Sequence, residues 1–211
     1  MIEIEALQFR YRKDGEEIFA GLGHKFAPGR VATITGASGR GKSTLLYLIG
    51  LLLTPDSGRV LIDGANTGGL SDGSRARLRA RRIGFVFQDA ALDVTRSVLD
   101  NVVEGGIYAG MSRRAAEKRA AGLLDRFGVE LRGDHRPGEV SGGQAQRVGL
   151  CRALIKDPTI VLADEPTGNL DQESAAVVLD ALFDTAAGGA TVLIASHDPQ
   201  VTARGTDVLG L

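Results

Sequence analysis

A loop of eight residues constrains this chain more than any other feature. Residues 36–43 read Gly-Ala-Ser-Gly-Arg-Gly-Lys-Ser and fit the pattern G-x-x-x-x-G-K-[ST] at every fixed position. Glycines in such a loop let backbone N–H groups approach a phosphate, because a Cβ atom would block that approach. An apolar run at 31–35 precedes the loop, and a helical pattern at 42–50 follows it. This order of strand, loop and helix predicts a phosphate-binding loop in an α/β fold.

The helix after the loop opens with two residues that carry specific chemistry. Its N-terminus presents unpaired N–H groups and a partial positive charge, which favour an anion. Lys42 is expected to reach the β- and γ-phosphates of a nucleotide, and Ser43 is expected to ligate Mg²⁺. The loop therefore predicts binding of a nucleoside triphosphate with its metal.

Size and composition set limits on the other possibilities. The 211 residues suit one large domain, and a net charge of -1 gives no overall basic footprint for nucleic acid. No apolar stretch is long enough to span a bilayer, and the acidic, alternating N-terminus is unlike a signal peptide. The single cysteine, Cys151, lies on an apolar helical pattern and is predicted to be a buried structural thiol in a reducing compartment.

Two kinds of strand pattern divide the chain. The stretches 2–9, 17–26 and 58–63 alternate between polar and apolar residues, with Ile2, Ile4 and Ala6 expected on one face of an antiparallel sheet. The runs 31–35, 83–87, 159–163 and 191–195 are almost continuously apolar, as in central parallel strands. Helical patterns at 42–50, 74–81, 112–127, 141–155 and 172–186 fill the gaps between strands, which indicates an α/β domain.

A stretch without strong strand signals lies between two of these core strands. Residues from about 89 to 140 carry mostly helical patterns and predict an inserted helical lobe. Before it, residues 74–82 form the densest basic segment of the chain. Such a segment is either a solvated helix face or a contact for anionic lipid or nucleic acid.

Two adjacent acids end the apolar run at 160–164. Asp164, at the end of a buried strand beside the phosphate loop, is positioned to hold Mg²⁺. Glu165 would then orient or deprotonate the water that attacks the γ-phosphate. Strand-end acids are often simply solvated, so the phosphate loop is what makes this pair informative.

A second loop has the features of an anion site. Residues 141–144 read Ser-Gly-Gly-Gln and begin a helical pattern, so their backbone N–H groups are open to a phosphate. One γ-phosphate needs only one such loop. The simplest explanation is that this second loop serves a nucleotide held by another copy of the chain in a head-to-tail dimer.

Two further polar residues follow core strands. Gln88 comes after the run 83–87, where its amide could contact Mg²⁺ or the attacking water and sense the helical lobe. His197 comes after the run 191–195, where a neutral imidazole could donate a hydrogen bond to the γ-phosphate.

These motifs, in this order, resemble the nucleotide-binding subunit of ABC transporters over essentially the whole chain. The matching elements are the Walker A loop (Gly36 to Ser43), the Q-loop (Gln88), the signature loop (Ser141 to Gln144), Walker B (Asp164), the catalytic glutamate (Glu165), the D-loop (Asn169 to Asp171) and the switch histidine (His197). The segments 135–139 and 166–171 resemble the MacB/LolD/FtsE-like group. Val140 departs from the leucine usual in the signature, a small change that should leave the loop intact.

The resemblance implies a fold and a division of the chain. It implies a P-loop NTPase core with a mostly parallel sheet, an N-terminal antiparallel β-subdomain and an inserted helical subdomain. The whole of 1–211 would be one ABC ATPase domain, with 1–88 and 156–211 forming the core and β-subdomain and 89–155 the helical subdomain. Since the sequence ends at Leu211, no C-terminal regulatory domain is expected.

The resemblance also implies the ligands. Catalysis is expected from Glu165, His197 and Gln88. Mg²⁺ is expected on Ser43, Gln88 and Asp164. The ATP-binding residues that it implies are Tyr11, which would stack on adenine, together with Gly36, Ser38, Gly39, Arg40, Gly41, Lys42, Ser43, Thr44, Ser141, Gly142, Gly143, Gln144 and Asp171.

The partners follow from the same resemblance. A homodimer of this chain would sandwich two ATP molecules. It would drive an integral-membrane permease, expected in two copies, from the cytoplasmic face of the membrane. No nucleic acid is expected as a partner. Three functions stay open: an exporter ATPase for a hydrophobic small molecule, peptide or lipoprotein, a mechanotransmission ATPase that transports nothing, and a soluble ABC ATPase. The last class usually carries a coiled-coil insertion, zinc cysteines or two ATPase halves, which this sequence lacks.

Overall fold

A computed structural model describes residues 1–12 and 14–211. The strands are β1 (Ile2–Phe9), β2 (Phe19–Phe26), β3 (Val31–Thr35), β4 (Ser57–Ile62), β5 (Ala65–Asn66), β6 (Ile83–Val86), β7 (Ile160–Asp164), β8 (Thr191–Ala195) and β9 (Asp207–Gly210). The α-helices are α1 (Lys42–Ile49), α2 (Asp72–Arg82), α3 (Val98–Tyr108), α4 (Arg113–Arg126), α5 (Gly142–Leu154), α6 (Gln172–Ala187) and α7 (Pro199–Arg204). Single 3₁₀ turns occupy Glu130–Arg132 and Pro137–Glu139.

A parallel sheet with the order β6-β7-β8-β3-β9 forms the centre of the molecule. Every residue of β7 and β8 is buried, which explains their uninterrupted apolar sequences. The phosphate loop, Gln88, Glu165 and His197 all follow strands of this sheet and therefore meet at its carboxyl edge. The predicted α/β fold class is confirmed.

An antiparallel sheet with the order β2-β1-β4-β5 precedes and flanks it, as the alternating patterns predict. The expectation for Ala6 is wrong in detail. Ile2 and Ile4 are buried, but Ala6 is exposed with φ of 48°, and the register shifts there so that Leu7 and Phe9 become the buried residues. Gly58 on β4 lies so close that a Cβ atom there would come within 2.3 Å of the Ala6 carbonyl oxygen. The irregularity in β1 thus depends on a glycine in the neighbouring strand.

Three helices lie between β6 and β7 in the chain, namely α3, α4 and α5, and residues 98–154 are called the helical lobe below. The sequence predicts helix in this stretch but does not give the bounds of α3. This helix begins after Ser97, and the Ser97 side chain accepts a hydrogen bond from the Asp100 N–H group. The short elements β5, α7 and β9 were not predicted. The division of the chain at residues 88 and 156 stays a prediction.

The helical lobe shares an apolar cluster with one face of the parallel sheet, and a second cluster lies between the other face and the antiparallel sheet. Cys151 is fully buried in the first of these clusters, and burial raises the pKa of its thiol to about 12, which confirms the predicted structural role. In residues 1–12 and 14–211, no helix combines the length and the apolar character needed to cross a membrane.

Candidate active site

A cleft of about 730 Å³ opens at the carboxyl edge of the parallel sheet. It brings together most of the residues singled out from the sequence: Tyr11, Gly36, Ser38, Gly39, Gly41, Lys42, Ser43, Thr44, Gln88, Glu165 and His197. Ile18, Ala37, Gly168 and Asn169 complete its lining. Arg40 belongs to the same loop but borders a neighbouring depression beside Tyr11 and Glu17. The buried Asp164 lies behind Ser43 rather than on the wall of the cleft.

The phosphate loop has the backbone that its glycines were expected to allow. Gly41 has φ of 94°, and a Cβ atom there would lie 2.4 Å from Cγ2 of Ile18. Gly39 has φ of 82° and has no heavy atom within 4 Å of its would-be Cβ position among the described residues. The loop therefore combines a tightly packed base with an open rim, which leaves its N–H groups accessible to a phosphate.

The Lys42 ammonium group holds this loop closed. Its Nζ donates hydrogen bonds to the carbonyl oxygens of Gly36 at 2.9 Å and Ala37 at 3.3 Å. These neutral acceptors leave its charge uncompensated, so the ammonium group is available to a phosphate oxygen that enters the loop.

Ser43 and Asp164 form a pair of oxygen donors at the base of the loop. The Ser43 hydroxyl donates to Oδ1 of Asp164 at 2.9 Å, and Asp164 is 4% exposed at the end of β7. Burial raises the pKa of Asp164, and the hydrogen bond from Ser43 opposes that change in part. Hydroxyl and carboxylate oxygens next to a phosphate loop suit Mg²⁺, so the residues present fit this metal. Tyr47, one turn after Ser43, lies near the same carboxylate, and its pKa is raised by burial and by Asp164.

Glu165 and His197 contact each other at the mouth of the cleft. Nδ1 of His197 lies 2.9 Å from Oε1 of Glu165. Glu165 adopts φ of 42°, and its N–H group donates to the carbonyl oxygen of Ala195 at 2.9 Å. A left-handed conformation costs a non-glycine residue about 1–2 kcal/mol, which the bond to the neighbouring strand helps to offset. The carboxylate is thereby turned toward the cleft beside an exposed imidazole.

Tyr11 also lines the cleft. Its ring packs edge-on against Phe9 with the centroids 5.0 Å apart and remains 60% exposed. Its hydroxyl shares a hydrogen bond of 2.8 Å with Oγ1 of Thr44. An aromatic face that is both anchored and exposed suits stacking on a base.

The second predicted anion loop lies apart from the cleft. Within the described chain, none of residues 141–144 lines it. The Ser141 side chain caps α5 by accepting from the Gln144 N–H group at 3.2 Å, and the Gln144 side chain accepts from the Ser141 N–H group at 3.0 Å. Gly142 is open on its outer side, because nothing in the described structure lies within 4 Å of its would-be Cβ position. Each of the two side chains therefore accepts from the backbone N–H group of the other residue, as in a capping box, and only Gly142 and Gly143 lie outside this exchange.

Gly143 and Asp171 meet beside α6 rather than in the cleft. A Cβ atom at Gly143 would lie 2.8 Å from Oγ of Ser174, on the first turn of α6. Asp171 caps that helix and accepts hydrogen bonds from the Ser174 backbone and hydroxyl, which lower its pKa. Tyr47 and Ser174, which lie near these sites, were not identified from the sequence. The only sequence signal for them is their spacing of four residues from Ser43 and three residues from Asp171, which places each on the same helix face as its neighbour.

Comparison with known proteins finds similarity to ATP-binding proteins of ABC transporters. A family profile described as ABC transporter matches residues 19–168. The chain is 44% identical over 207 residues to the lipoprotein-releasing system ATP-binding protein LolD of Granulibacter bethesdensis, covering 96% of this chain and 90% of that protein. It is 46% identical over 184 residues to the macrolide export ATP-binding/permease protein MacB of Rhodopseudomonas palustris, covering 87% of this chain but 28% of that protein.

Solved structures agree with this result. A dimeric ATP-binding cassette in a post-hydrolysis state, bound to ADP and Pi, superposes with a TM-score of 0.92 at 32% identity. The alignment covers 100% of this chain and 94% of that one. A second dimeric structure, described as a bacterial ABC transporter cassette, gives a TM-score of 0.93 at 35% identity with the same coverage.

Proposed function

Since the chain belongs to the ABC transporter family and is an ABC ATPase, we propose that it powers a separate membrane permease as one half of an ATP-dependent dimer. The observation that carries the proposal is the cleft itself. It places Lys42, the Ser43–Asp164 pair and the Glu165–His197 pair around one space at the edge of one sheet.

Binding of ATP in this proposal uses the loop and Tyr11. The phosphates lie against the N–H groups of residues 36–44, and the Lys42 ammonium group exchanges its loop carbonyls for β- and γ-phosphate oxygens. The adenine stacks on the exposed ring of Tyr11. Arg40 of the same loop borders the depression beside Tyr11, from which we propose that it contacts the nucleotide.

Hydrolysis depends on positioning and on charge neutralisation. Mg²⁺, when bound, neutralises charge on the phosphate oxygens, and Ser43, Asp164 and Gln88 are the residues that would hold it directly or through water. Glu165 orients the attacking water and accepts its proton. His197, bonded to Glu165 through Nδ1, holds that carboxylate in place and leaves Nε2 for the γ-phosphate or the water.

The second loop completes the site from another copy of the chain. Residues 141–144 and Asp171 do not line the described cleft of their own chain. The capping box occupies the N–H groups of Ser141 and Gln144, so the N–H groups of Gly142 and Gly143 at the start of α5 are the ones proposed to meet a phosphate. In the proposed head-to-tail dimer they close over the nucleotide of the opposite copy. ATP then contacts both copies and favours the closed dimer, and hydrolysis removes that preference. The dimeric state of both solved relatives supports this arrangement.

A groove of about 550 Å³ between α2 and the helical lobe is the proposed site for the permease. Phe85, Phe87 and Ala153 contribute apolar surface. The groove is also lined by cations that have no carboxylate partner among the described residues, namely Arg77, Arg79, Arg81, Arg152 and Lys156. A cytoplasmic segment of the permease with an apolar face and carboxylate side chains fits such a surface.

The basic segment at 74–82 supports this proposal more than contact with lipid. Arg75 donates to the carbonyl oxygens of Leu51 and Leu53, and Arg79 donates to that of Leu51. Arg82 pairs with Asp63. Arg75 and Arg82 are thus engaged within the chain and do not line the groove, whereas Arg77, Arg79 and Arg81 do line it.

The transported substrate is proposed from the relatives. Several relatives matched along most of their own length carry the name lipoprotein-releasing system ATP-binding protein LolD. We therefore favour a lipoprotein-releasing permease, which would hold the chain at the cytoplasmic face of the membrane. The related MacB proteins, which include a permease in the same chain, make an exporter of small molecules the second candidate.

Capture of the partner tests this function. The variant Glu165→Gln is purified with ATP from detergent-solubilised host membranes, and co-purifying chains are identified by mass spectrometry. Recovery of a permease, and its absence with Lys42→Ala, is the expected result. Recovery of soluble proteins alone would contradict the transporter function while leaving the ATPase activity intact. A membrane partner without transport activity would instead favour mechanotransmission.

A further inference from the structure

The segment 87–93, which we call the link segment, carries Gln88 from the core sheet to the helical lobe. It begins with a turn in which the Ala90 N–H group donates to the Phe87 carbonyl oxygen at 3.1 Å. Gln88 lies at the corner of this turn, exposed on the wall of the cleft. Ala90 and Ala91 have φ of 59° and 46°, a conformation that residues with side chains rarely adopt. The surroundings of the turn must therefore hold it in this shape.

Arg152 of α5 binds the backbone of both Ala90 and Ala91. Its guanidinium donates to the carbonyl oxygen of Ala90 through Nη2 at 2.5 Å and to that of Ala91 through Nη1 at 2.7 Å. Both carbonyl oxygens are therefore within reach of one planar guanidinium, which can donate to two acceptors at once. Arg152 is half-buried, has no carboxylate partner in the described part of the chain, and burial lowers its pKa.

Two further lobe residues hold the ends of the link segment. Gln146 of α5 is 3% exposed, and its Nε2 donates to the Phe87 carbonyl oxygen at 2.9 Å. Asn101 of α3 is 1% exposed and bonds to both the N–H and the carbonyl group of Asp93, at 2.8 and 3.0 Å. Among the described residues, every side-chain hydrogen bond to the backbone of the link segment comes from the helical lobe and none from the core.

Close packing completes the attachment to α5. A Cβ atom at Gly149 would lie 3.3 Å from Cβ of Ala90 and 3.4 Å from its carbonyl oxygen. The helix thus approaches the turn more closely than most residues would permit. The link segment continues a core strand, but its lateral contacts attach it to the lobe.

We propose that Arg152 and Gln146 are positioning residues for Gln88. By fixing the turn to α5, they make Gln88 face the cleft and move together with Ser141, which lies at the start of α5. This inference rests on the proposed role of Gln88 in the ATPase site. Arg152 also lines the groove proposed for the permease, so a segment bound there would contact the residue that holds the turn.

A double-mutant cycle on the full-length chain tests the proposal. Arg152→Lys keeps the charge but loses the fork, and we expect it to lower kcat for Mg-ATP about tenfold with KM within about twofold. In the Gln88→Ala background the same substitution should change kcat by less than about twofold, because Arg152 acts through the turn that carries Gln88. The control Arg126→Lys, an exposed arginine of the lobe near Asp184, should leave kcat unchanged in both backgrounds.

Hydrogen–deuterium exchange without nucleotide or metal provides the second measurement. Peptides that cover 87–91 should exchange faster in Arg152→Lys and in Gln146→Leu, with the rest of the chain unchanged. An equal loss of kcat in both backgrounds, or unchanged exchange at 87–91, would overturn the proposal. If Arg152→Lys fails to fold, Gln146→Leu is put through the same cycle. A wild-type chain that hydrolyses no ATP would contradict the proposed function instead, and exchange would still report whether Arg152 holds the turn.

Discussion

The two phosphate-binding loops of this chain differ in how complete they are. Around the first, Lys42, Ser43 and Glu165 already have their hydrogen-bond partners in a single copy of the chain. Around the second, the side chains of Ser141 and Gln144 accept from each other's backbone N–H groups, and none of residues 141–144 lines the described cleft. The first loop lines the described cleft, whereas the second lies outside it. The difference is what the proposed dimer would explain: one copy of the chain binds the nucleotide, and a second copy closes the site.

The largest expected effect removes the charge at the first loop. Lys42→Ala loses the only ammonium group that lines the described cleft, and turnover should fall by about 1,000-fold with weaker ATP binding. Steady-state ATPase assays and nucleotide titrations measure both. The control Lys118→Ala, on the exposed side of α4, should behave like wild type. Near-normal turnover in Lys42→Ala would contradict the assignment of the loop.

Glu165→Gln separates binding from hydrolysis within the first loop's site. The amide cannot accept a proton from water, so turnover should fall by about 100- to 1,000-fold while ATP still binds. Size-exclusion chromatography with ATP should then show a persistent dimer. Glu173→Gln, an exposed acid at the start of α6, is the matched control. A monomeric Glu165→Gln variant with normal turnover would show that Glu165 is not the catalytic group.

Ser141→Ala tests the second loop alone. Loss of the cap on α5 should cost about 1 kcal/mol of stability. Turnover should fall about tenfold, because the phosphate bound by the other copy loses one hydrogen bond. The ATP affinity of the monomeric chain should stay unchanged. Ser112→Ala removes the equivalent cap of α4 and should cost similar stability without affecting turnover. Equal turnover in the two variants would remove the second loop from the site.

The smallest effect lies in the groove, outside both loops. Burial lowers the pKa of Lys156 to about 8. Below pH 8 the folded chain therefore holds a buried charged lysine, which lowers the free energy of unfolding. Lys156→Met should therefore stabilise the chain by about 1–2 kcal/mol at pH 7. The gain should shrink as the pH rises from 8 toward the ordinary lysine pKa of 10.5, because the folded lysine loses its proton first.

Thermal unfolding of wild type and Lys156→Met between pH 7 and 10 measures this difference. Capture of the permease should weaken in the same variant if a carboxylate pairs with Lys156. Destabilisation at pH 7, or a gain independent of pH, would contradict the account of the buried cation.

Sequence patterns predict the residues of the first loop because its chemistry needs neighbours along the chain. They also predict Asp164, Glu165 and His197, since buried parallel strands bring their carboxyl ends to one edge. They do not predict the hydrogen bonds from Arg152 to the carbonyl oxygens of Ala90 and Ala91, because backbone carbonyl groups carry no sequence signal. Nor do they predict the irregularity at Ala6, which depends on a residue of another strand.

Cross-linking between copies tests the central claim most directly. Ser38→Cys and Ser141→Cys are made as separate variants, and the native Cys151 stays in place because its thiol is buried with a pKa of about 12. The two variants are mixed in the Glu165→Gln background with Mg-ATP and oxidised. We predict a covalent dimer of twice 22.2 kDa that forms in the mixture only and requires ATP. A mixture that stays monomeric with ATP, or cross-links equally without it, would contradict the claim that the second loop closes over the nucleotide of another copy.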